Sequence, residues 1–289
     1  MFNHRDSSLF DIIATILMQM KFLKKYRYSL ILLRELVVTE FKLRYQGSAL
    51  GYLWSVLRPL FLFVILYFVF VHFLKIGSTV PHWPVALLLG IVLWNFFSEV
   101  TNNGVTSIVN RGDVIRKINF PKYVIILSGS VSALINLAIN LVVIGVFMVI
   151  NGVQLTWFSL LAPLFIVEIF IVALGLSFLL SAIFVRLRDI NYIWEVVMQG
   201  LFYASAIIYP ISMVVDKSSK LAQAILLNPV AQAVQDTRHL LISSANPTLL
   251  TISHDNYLLW LIPIVISLFI LFAGAWFFKK RSPYFAEEV

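Results

Sequence analysis

Apolar residues run along the chain in long stretches that are separated by short polar segments. A helix needs about 20 apolar residues to cross the hydrocarbon core of a bilayer, and six stretches approach or exceed that length. We therefore predict an all-α, polytopic membrane protein with six transmembrane helices. The spans are predicted at about residues 54–74, 84–105, 123–150, 157–185, 192–215 and 257–278.

The segment before the first span has the pattern of an amphipathic helix. From Leu30 to Tyr45, polar and apolar residues recur with helical spacing, which predicts a helix at the membrane interface. Glu40 and Arg44 project into its apolar face, four residues apart and in the order that favours a helical ion pair. Lipid would penalise such a pair, so this face is expected to meet protein, with snorkelling of both side chains to the interface as the alternative.

A second unusual segment lies between the fifth and sixth predicted spans. Residues 221–227 are apolar but too few to cross a membrane, and Asn228 and Pro229 follow as an N-cap and a first-turn residue of another helix. We predict two short re-entrant helices before the last span. Re-entrant backbone is tolerated only where protein or water surrounds it, so this segment would border a pathway. Two interfacial helices lying flat on the membrane are the alternative.

Composition excludes a water-soluble protein and orients the chain. Of the 289 residues, 60% are hydrophobic and 12% charged, whereas soluble domains carry roughly a quarter charged residues. The 22 Lys and Arg residues nevertheless give a net charge of +8. The predicted spans place 18 of these 22 cations on one side of the membrane. By the positive-inside rule both termini lie in the cytoplasm, and no nucleic-acid partner is needed to explain the charge.

Motifs of catalysis are absent from the sequence. There is no phosphate-binding Gly-x-x-x-x-Gly-Lys pattern, and the five His residues have no metal-ligand spacing. The chain also has no Cys. We therefore expect that the chain is not an enzyme and that it holds no cofactor or metal itself, with an intramembrane transferase as the alternative that the absent motifs leave open.

Polar residues line one face of two predicted spans. In the third span, Ser128, Ser132, Asn136 and Asn140 repeat every four residues, and helix packing is favoured over water contact for them. A carboxylate, an amide and phenols on one face of the fifth span are costly against lipid and indicate a water-filled channel, with helix packing as an equal alternative. The residues of this second stripe and its outer end are Tyr192, Glu195, Gln199, Phe202, Tyr203 and Tyr209.

The first span carries an aromatic stripe at Phe63, Tyr67 and Phe70. Lipid contact is the favoured interpretation, although stacked aromatic rings also bind the apolar faces of sugars. Glu99 and Glu168 fall inside the second and fourth spans, where an unpaired charge costs several kcal/mol. Each is therefore protonated, partnered or in contact with water.

Four blocks of sequence stand out together. They are the segment from Arg34 to Leu60, which includes Gly47 to Trp54, the second polar loop from Asn110 to Pro121, the loop from Phe184 to Ile190, and Leu226 to Pro229. These blocks resemble the ABC-2 type permeases that export polysaccharides, and the four together are specific to that family. The resemblance runs from about residue 30 to residue 280.

The resemblance implies the membrane subunit of an ATP-driven exporter of lipid-linked glycans such as O-antigen, wall teichoic acid or galactan, in the bacterial plasma membrane. It implies a homodimer with two copies of an ATP-binding subunit, which would hold ATP and Mg²⁺. It also implies that the first and fifth spans line the channel, and that Asn228 and Pro229 belong to an outer gate. The residues expected to couple to the ATP-binding subunit are Glu35, Lys42, Arg111, Asp113, Arg116, Lys117, Arg186, Arg188 and Asp189.

The chain is accordingly divided into a basic N-terminal segment, residues 1–29, a transmembrane domain, residues 30–280, and a cytoplasmic tail, residues 281–289. Arg44 and Arg58 at the cytoplasmic rim are expected to attract a lipid pyrophosphate. A drug-exporting ABC-2 permease and a glycolipid flippase or channel that needs no ATPase are the alternative functions.

Overall fold

The computed structural model describes residues 27–45, 51–77, 80–118, 120–253 and 256–289, and it is helical with no strand in those residues. The predicted all-α class is confirmed. The α-helices in chain order are α1 Arg27–Tyr45, α2 Trp54–Leu66, α3 Trp83–Ser107, α4 Gly112–Lys117, α5 Tyr123–Ile150, α6 Ala162–Phe184, α7 Ile190–Ala204, α8 Ser212–Val215, α9 Ser219–Leu226, α10 Pro229–Leu241, α11 Leu249–Ile252, α12 Tyr257–Arg281 and α13 Phe285–Glu288. Residues 1–26 of the predicted N-terminal segment, and residues 46–50 of the first motif block, lie outside the described residues.

Five of the described helical segments are long and apolar enough to cross a membrane. The first combines α2 with the π-helical turns Tyr67–Phe73, and the fourth combines the 3-10 helix Trp157–Leu161 with α6. The five segments are Trp54–Phe73, Trp83–Ser107, Tyr123–Ile150, Trp157–Phe184 and Tyr257–Glu288.

The predicted fifth span differs from the expectation of one continuous helix. Its helix α7 has 15 residues, about 22 Å at 1.5 Å per residue, and it ends at Ala204, well before Val215. The reason is local backbone geometry, since Ala206 has a left-handed φ of 52°, a conformation that no helix interior contains. Pro210 and the short α8 follow this break.

Helix α3 forms the centre of the bundle. Most of its residues are buried against α5 and α6, as expected of a helix that is apolar over most of its circumference. Helix α2 packs on α3 and α5 but keeps much of its surface exposed. Helix α7 packs on α3 and α6, so α2 and α7 both flank the central helix and each leaves one side open.

Helices α6 and α12 approach each other through two glycines. A Cβ atom added at Gly274 would overlap the carbonyl oxygen of Gly175, and one added at Gly175 would lie 2.6 Å from Leu271 Cα. Small residues allow such backbone contact between membrane helices. The last span is therefore held against α6 by close backbone packing.

One end of the bundle is closed by a second hydrophobic cluster, which we call the basal cluster. It joins the segment around α4 to the ends of α5, α6 and α12 and to the C-terminal α13. Phe285 of α13 is fully buried and packs on Phe278 with ring centroids 5.2 Å apart. The tail after residue 281 is thus folded onto the bundle. The buried members of the cluster are Ile108, Ile115, Phe120, Ile125, Ile126, Phe178, Ala182, Val185, Phe278 and Phe285.

Candidate functional site

Helix α4 presents a charged surface at the basal end of the bundle. Ile115 and Gly112 are buried in the protein, and Asp113, Arg116 and Lys117 are exposed. Because a six-residue helix cannot be stable alone, α4 owes its position to Ile115 in the basal cluster and to Val289, whose side chain occupies the space where a Cβ of Gly112 would lie.

The loop between α6 and α7 supplies further exposed charges at the same end. The guanidinium of Arg188 lies 5.2 Å from the ring centroid of Phe184, and Arg186 Nε lies 4.0 Å from Glu288 Oε1 in the tail. Asp189 is also exposed. Since the tail packs on α4 as well, it connects the two charged segments predicted to couple to a partner, α4 and the loop after α6.

Helix α1 is docked to this end through Glu40. Its carboxylate Oε2 accepts a hydrogen bond from Arg111 Nη2 at 2.9 Å and another from Ser128 Oγ at 3.3 Å. Arg111 Nη1 in turn donates to Ser128 Oγ at 3.2 Å. The expectation that the Glu40 face of this helix meets protein is confirmed, with Arg111 as partner. The side chain of Arg44 lies outside the described residues.

The predicted coupling residues of α1 lie on its other face. Glu35 and Lys42 are exposed, whereas Val37 is buried. Helix α1 thus turns its buried side to α5 and its charged side outwards. Together with α4 and the loop after α6, it forms a broad exposed surface of mixed charge, which we call the basal surface.

Helix α7 exposes the polar stripe predicted for the fifth span. Tyr192 and Tyr203 are more than half exposed, Gln199 is exposed, and Glu195 Oε1 accepts a hydrogen bond from Asn191 Nδ2 at 3.1 Å. The opposite side of the helix is apolar and buried, with Trp194 and Met198 facing the core. A carboxylate and an amide are therefore left on the open side of α7, with no packing role within the described chain.

The outer part of this stripe is fixed by aromatic contacts. Phe202 packs against Trp94, with ring centroids 5.6 Å apart, and Tyr203 lies beside Phe202. The hydroxyl of Tyr209 donates to the Tyr203 carbonyl at 3.0 Å.

The aromatic stripe of the first span is divided between core and surface. Phe63 is buried and packs on Phe147 of α5, with centroids 6.2 Å apart, while Tyr67 lies beside it at 5.8 Å. Tyr67 and Phe70 are half-buried, and Arg58 is exposed near the start of α2. Of the predicted stripe, Tyr67 and Phe70 keep open surface and Phe63 serves packing.

Arg238 of α10 is a buried cation that lies between α3 and the break after α7. Its guanidinium donates to the carbonyls of Ala86, Ala206 and Ile207 at 2.6–2.9 Å and lies 5.1 Å from the Trp83 ring centroid. Burial lowers the pKa of Arg238 to about 9, so it stays protonated at neutral pH. These bonds satisfy the carbonyls that the break after α7 leaves without helical partners.

The two predicted short helices meet at Asn228 and Pro229. Asn228 Oδ1 accepts from the Val230 amide at 3.1 Å, as an N-cap does, and its Nδ2 donates to Ser205 Oγ at 3.0 Å. Residues 229–238 are all buried in the protein. Asp236 accepts from Trp260 Nε1 at 3.2 Å and from Gln232, and burial raises its pKa to about 6.

A polar cleft of about 450 Å³ opens between α2, α3 and α5. Its walls carry five asparagines and two opposite charges among apolar residues. Sequence reasoning noted Asn136, Asn140 and Glu99 separately but missed their common site. The spacing of Asn95, Glu99 and Asn102, four and three residues apart on one helix face, could have indicated it. The lining residues are Trp54, Ser55, Arg58, Pro59, Val92, Asn95, Phe96, Ser98, Glu99, Asn102, Asn103, Asn136, Leu137 and Asn140.

Both acidic residues inside the spans have hydrogen-bond donors. Glu99 Oε2 accepts from Asn136 Nδ2 at 2.8 Å in the cleft, and the buried Glu168 accepts from Ser267 Oγ of α12 at 3.1 Å. Of the possibilities that the sequence left open, a partner is observed for each. Within the described ranges, no group of three or more Asp, Glu or His residues could hold a metal ion.

Comparison with known proteins finds one family and several similar transport proteins. The model of the family described as "ABC-2 type transporter" matches residues 31–242. The O-antigen export system permease protein RfbA of Myxococcus xanthus is 28% identical over 262 residues, which cover 89% of this chain and 95% of that protein. The protein of the same name from Klebsiella pneumoniae is 30% identical over 225 residues, covering 76% and 85% of the two chains.

Proposed function

The chain belongs to the ABC-2 type transporter family, and from this premise we propose that it is the membrane subunit of an ATP-driven exporter of lipid-linked polysaccharide. The family predicted from the four sequence blocks is confirmed, and with its apolar helices the chain is a multi-pass membrane protein. The observation that carries the proposed substrate is the similarity to two O-antigen export permeases over at least 85% of their length.

The translocation path is proposed at the interface between two copies of the chain. The open sides of α2 and α7 support this, because both helices flank α3 and α7 exposes Glu195 and Gln199, which lipid would penalise. A second copy would cover these side chains and leave a polar channel between the protomers. The proposed channel residues are Arg44, Arg58, Tyr67, Phe70, Tyr192, Glu195, Gln199, Phe202, Tyr203 and Tyr209, whereas Phe63 is buried against Phe147 and is left out of the channel.

We propose six crossings, with α7 and the segment after it as the fifth. Helix α7 alone is short for a bilayer, but the chain continues from Ala204 through the break at Ala206 to α8. Helices α9 and α10 would be re-entrant in the outer leaflet and act as an outer gate at Asn228 and Pro229. The burial of residues 229–238 against the bundle supports this over helices lying flat on the membrane.

The basal surface is proposed to receive two copies of an ATP-binding subunit in the cytoplasm. The 18 cations predicted on this side support cytoplasmic termini and insertion in the bacterial plasma membrane. Closure of the ATP-bound dimer would push on α4 and α1. Both are joined to the spans, α4 through the basal cluster and α1 through Glu40, so the push would change the width of the channel.

Co-purification tests the proposed partner. After mild detergent extraction, an ATP-binding subunit is expected with the wild-type chain, and Arg116→Glu with Lys117→Glu is expected to abolish its binding or its substrate-stimulated ATPase activity. The exposed pair Lys217→Glu with Lys220→Glu keeps the charge change but lies on the opposite side, and it should leave both intact. An unchanged complex and unchanged export in the first variant would contradict the coupling assignment.

Two alternatives are tested by the same preparation. An ABC-2 permease for drugs or small lipids would bring down the ATP-binding subunit but would respond to hydrophobic drugs instead of glycan lipid. A glycolipid flippase independent of ATP would purify without any ATP-binding subunit.

A further inference from the structure

The polar cleft between α2, α3 and α5 is an unusual surface for a membrane helix bundle. Amide side chains inside a bilayer are costly unless another polar group satisfies them. Here five asparagines converge on a cavity of about 450 Å³, a volume typical of small-molecule sites. Helix packing alone does not account for them, because they line an opening between the helices.

Hydrogen bonds hold the cleft walls in place. Asn140 Nδ2 donates to the carbonyls of Ser55 and Asn136 at 3.2 and 2.9 Å, which ties α5 to the start of α2. Asn102 Nδ2 donates to Ser98 Oγ at 3.0 Å. These bonds use the donor side of the amides. The wall is therefore rigid and rich in oxygen acceptors, which suits a ligand that carries several hydroxyl donors.

One acceptor in the wall has no hydrogen bond among the described residues. Asn136 donates to Glu99 through Nδ2, while its Oδ1 is buried and unpaired. A buried acceptor left without a hydrogen bond has lost its contact with water and gained no replacement, which is unfavourable. A hydroxyl group bound beside Glu99, with a small movement of the Asn136 side chain, would satisfy this oxygen.

The mouth of the cleft combines an aromatic ring with a charge. Trp54 is 44% exposed and meets Phe61 at a tilted angle, with ring centroids 6.5 Å apart, so that much of its indole surface stays open. An indole face packs well on the apolar C–H face of a sugar ring. Among the described lining residues, Arg58 and Glu99 carry opposite charges that balance, which favours a neutral ligand over a free anion or cation.

We propose that this cleft binds a neutral pyranose unit of the exported glycan, stacked on Trp54 and hydrogen-bonded by the asparagines and Glu99. The inference rests on the proposed function and adds to it a sugar subsite within one protomer, separate from the stripe on α7. A sugar held there would bring its neighbouring phosphate, where the substrate has one, towards the exposed Arg58.

Saturation-transfer NMR on the full chain with its ATP-binding subunit in nanodiscs tests the subsite. The complex is extracted in a sugar-free detergent, and the probes are methyl mannoside, methyl galactoside and N-acetylglucosamine, with glycerol as the polyol control. We expect transfer to the ring protons of at least one sugar and none to glycerol. Asn102→Ala and Trp54→Leu should each reduce the sugar signal about fivefold, as expected for a loss of about 1 kcal/mol.

Matched controls come from the other end of the same bundle. Asn151→Ala and Trp157→Leu remove the same chemical groups from exposed positions outside the cleft, and both should keep the wild-type signal. Equal signals in cleft and control variants, or a wild-type signal no larger than that of empty nanodiscs, would overturn the subsite. If export of glycan is observed without sugar binding in the cleft, the inference fails and the proposed function stands. If the cleft binds sugar but no glycan is exported, the proposed function fails.

Discussion

Arg238 shows how a single charged residue can organise irregular backbone in a membrane protein. Its guanidinium is fully buried and binds carbonyls from α3 and from the break after α7. The break would otherwise leave polar backbone groups unsatisfied in an apolar setting, at a cost of several kcal/mol. The side chain fits because residue 90 is Gly, since a Cβ there would overlap the guanidinium.

Gly90→Ala is therefore expected to displace Arg238 and to lower the free energy of unfolding by about 3 kcal/mol. Gly145→Ala is the matched control, because a Cβ at Gly145 meets nothing within 4 Å and Ala is the better helix former. Thermal unfolding of both variants in detergent measures the difference. Equal unfolding temperatures for the two variants would contradict the claim that Arg238 occupies the space beside Gly90.

Asp236 is expected to make stability depend on pH. Burial raises the pKa of Asp236 to about 6, from 3.8 in an unfolded chain, so the folded protein binds this proton more tightly. The resulting stabilisation is present below pH 4 and is lost as the pH rises through 6. In wild type the free energy of unfolding should therefore change by an amount on the order of 2 kcal/mol between pH 4 and pH 6, and Asp236→Asn should remove this change.

Unfolding midpoints between pH 4 and pH 7 check this dependence. His239 and Glu168 are titratable groups that interact electrostatically with Asp236, and both are unchanged in the variant. The exposed Asp216 supplies the control Asp216→Asn, which should keep the wild-type slope. If the unfolding midpoint of Asp236→Asn depends on pH as strongly as that of wild type, other groups cause the dependence and the prediction is wrong.

At the scale of elements, the ion pair between Glu40 and Arg111 helps to dock α1 on the bundle. Glu40 and Arg111 are 21% and 24% exposed, and their charged atoms lie 2.9 Å apart. A double-mutant cycle with Glu40→Gln and Arg111→Gln should give a coupling energy of about 1 kcal/mol. The pair Arg186 and Glu288, at 4.0 Å with Arg186 59% exposed, is the control and should give a value near zero. Similar values for both pairs would contradict the docking role of Glu40.

The apolar helices were predictable from the sequence because long hydrophobic stretches have one structural solution in a bilayer. The end of α7 was not, because the conformation of Ala206 depends on Arg238, which lies 32 residues later. The fold of the tail was also missed, since Phe285 and Val289 form no periodic pattern and are ordered only by contact with α12 and α4.

The candidate site was likewise predictable only in part. Exposed charges on α4 and polar residues on α7 were visible as local patterns, because each lies on one element. The cleft required tertiary structure, since Asn102 of α3 and Asn140 of α5 meet only when the two helices pack. Phe63 shows the converse, because its spacing matches Tyr67 and Phe70 but α5 covers it.

At the scale of the whole molecule, the two ends of the bundle differ in structure. At one end the basal cluster and the tail pack beneath the charged basal surface, while the opposite end holds short helices joined by buried polar contacts. Between them, α2 and α7 leave open sides, where a second copy of the chain is proposed to pack. This arrangement supports the proposed mechanism, in which a push at one end changes the width of the channel between two protomers.

Transport by the purified complex in proteoliposomes tests this account most directly. Vesicles are loaded with a labelled lipid-linked glycan and with this chain in complex with its ATP-binding subunit, and glycan on the side of the outer gate is measured with a membrane-impermeant lectin. The account predicts glycan exposure that requires ATP and that Arg116→Glu with Lys117→Glu abolishes. ATP-dependent movement of hydrophobic drugs with no exposure of glycan, or glycan exposure at the same rate without ATP, would contradict it.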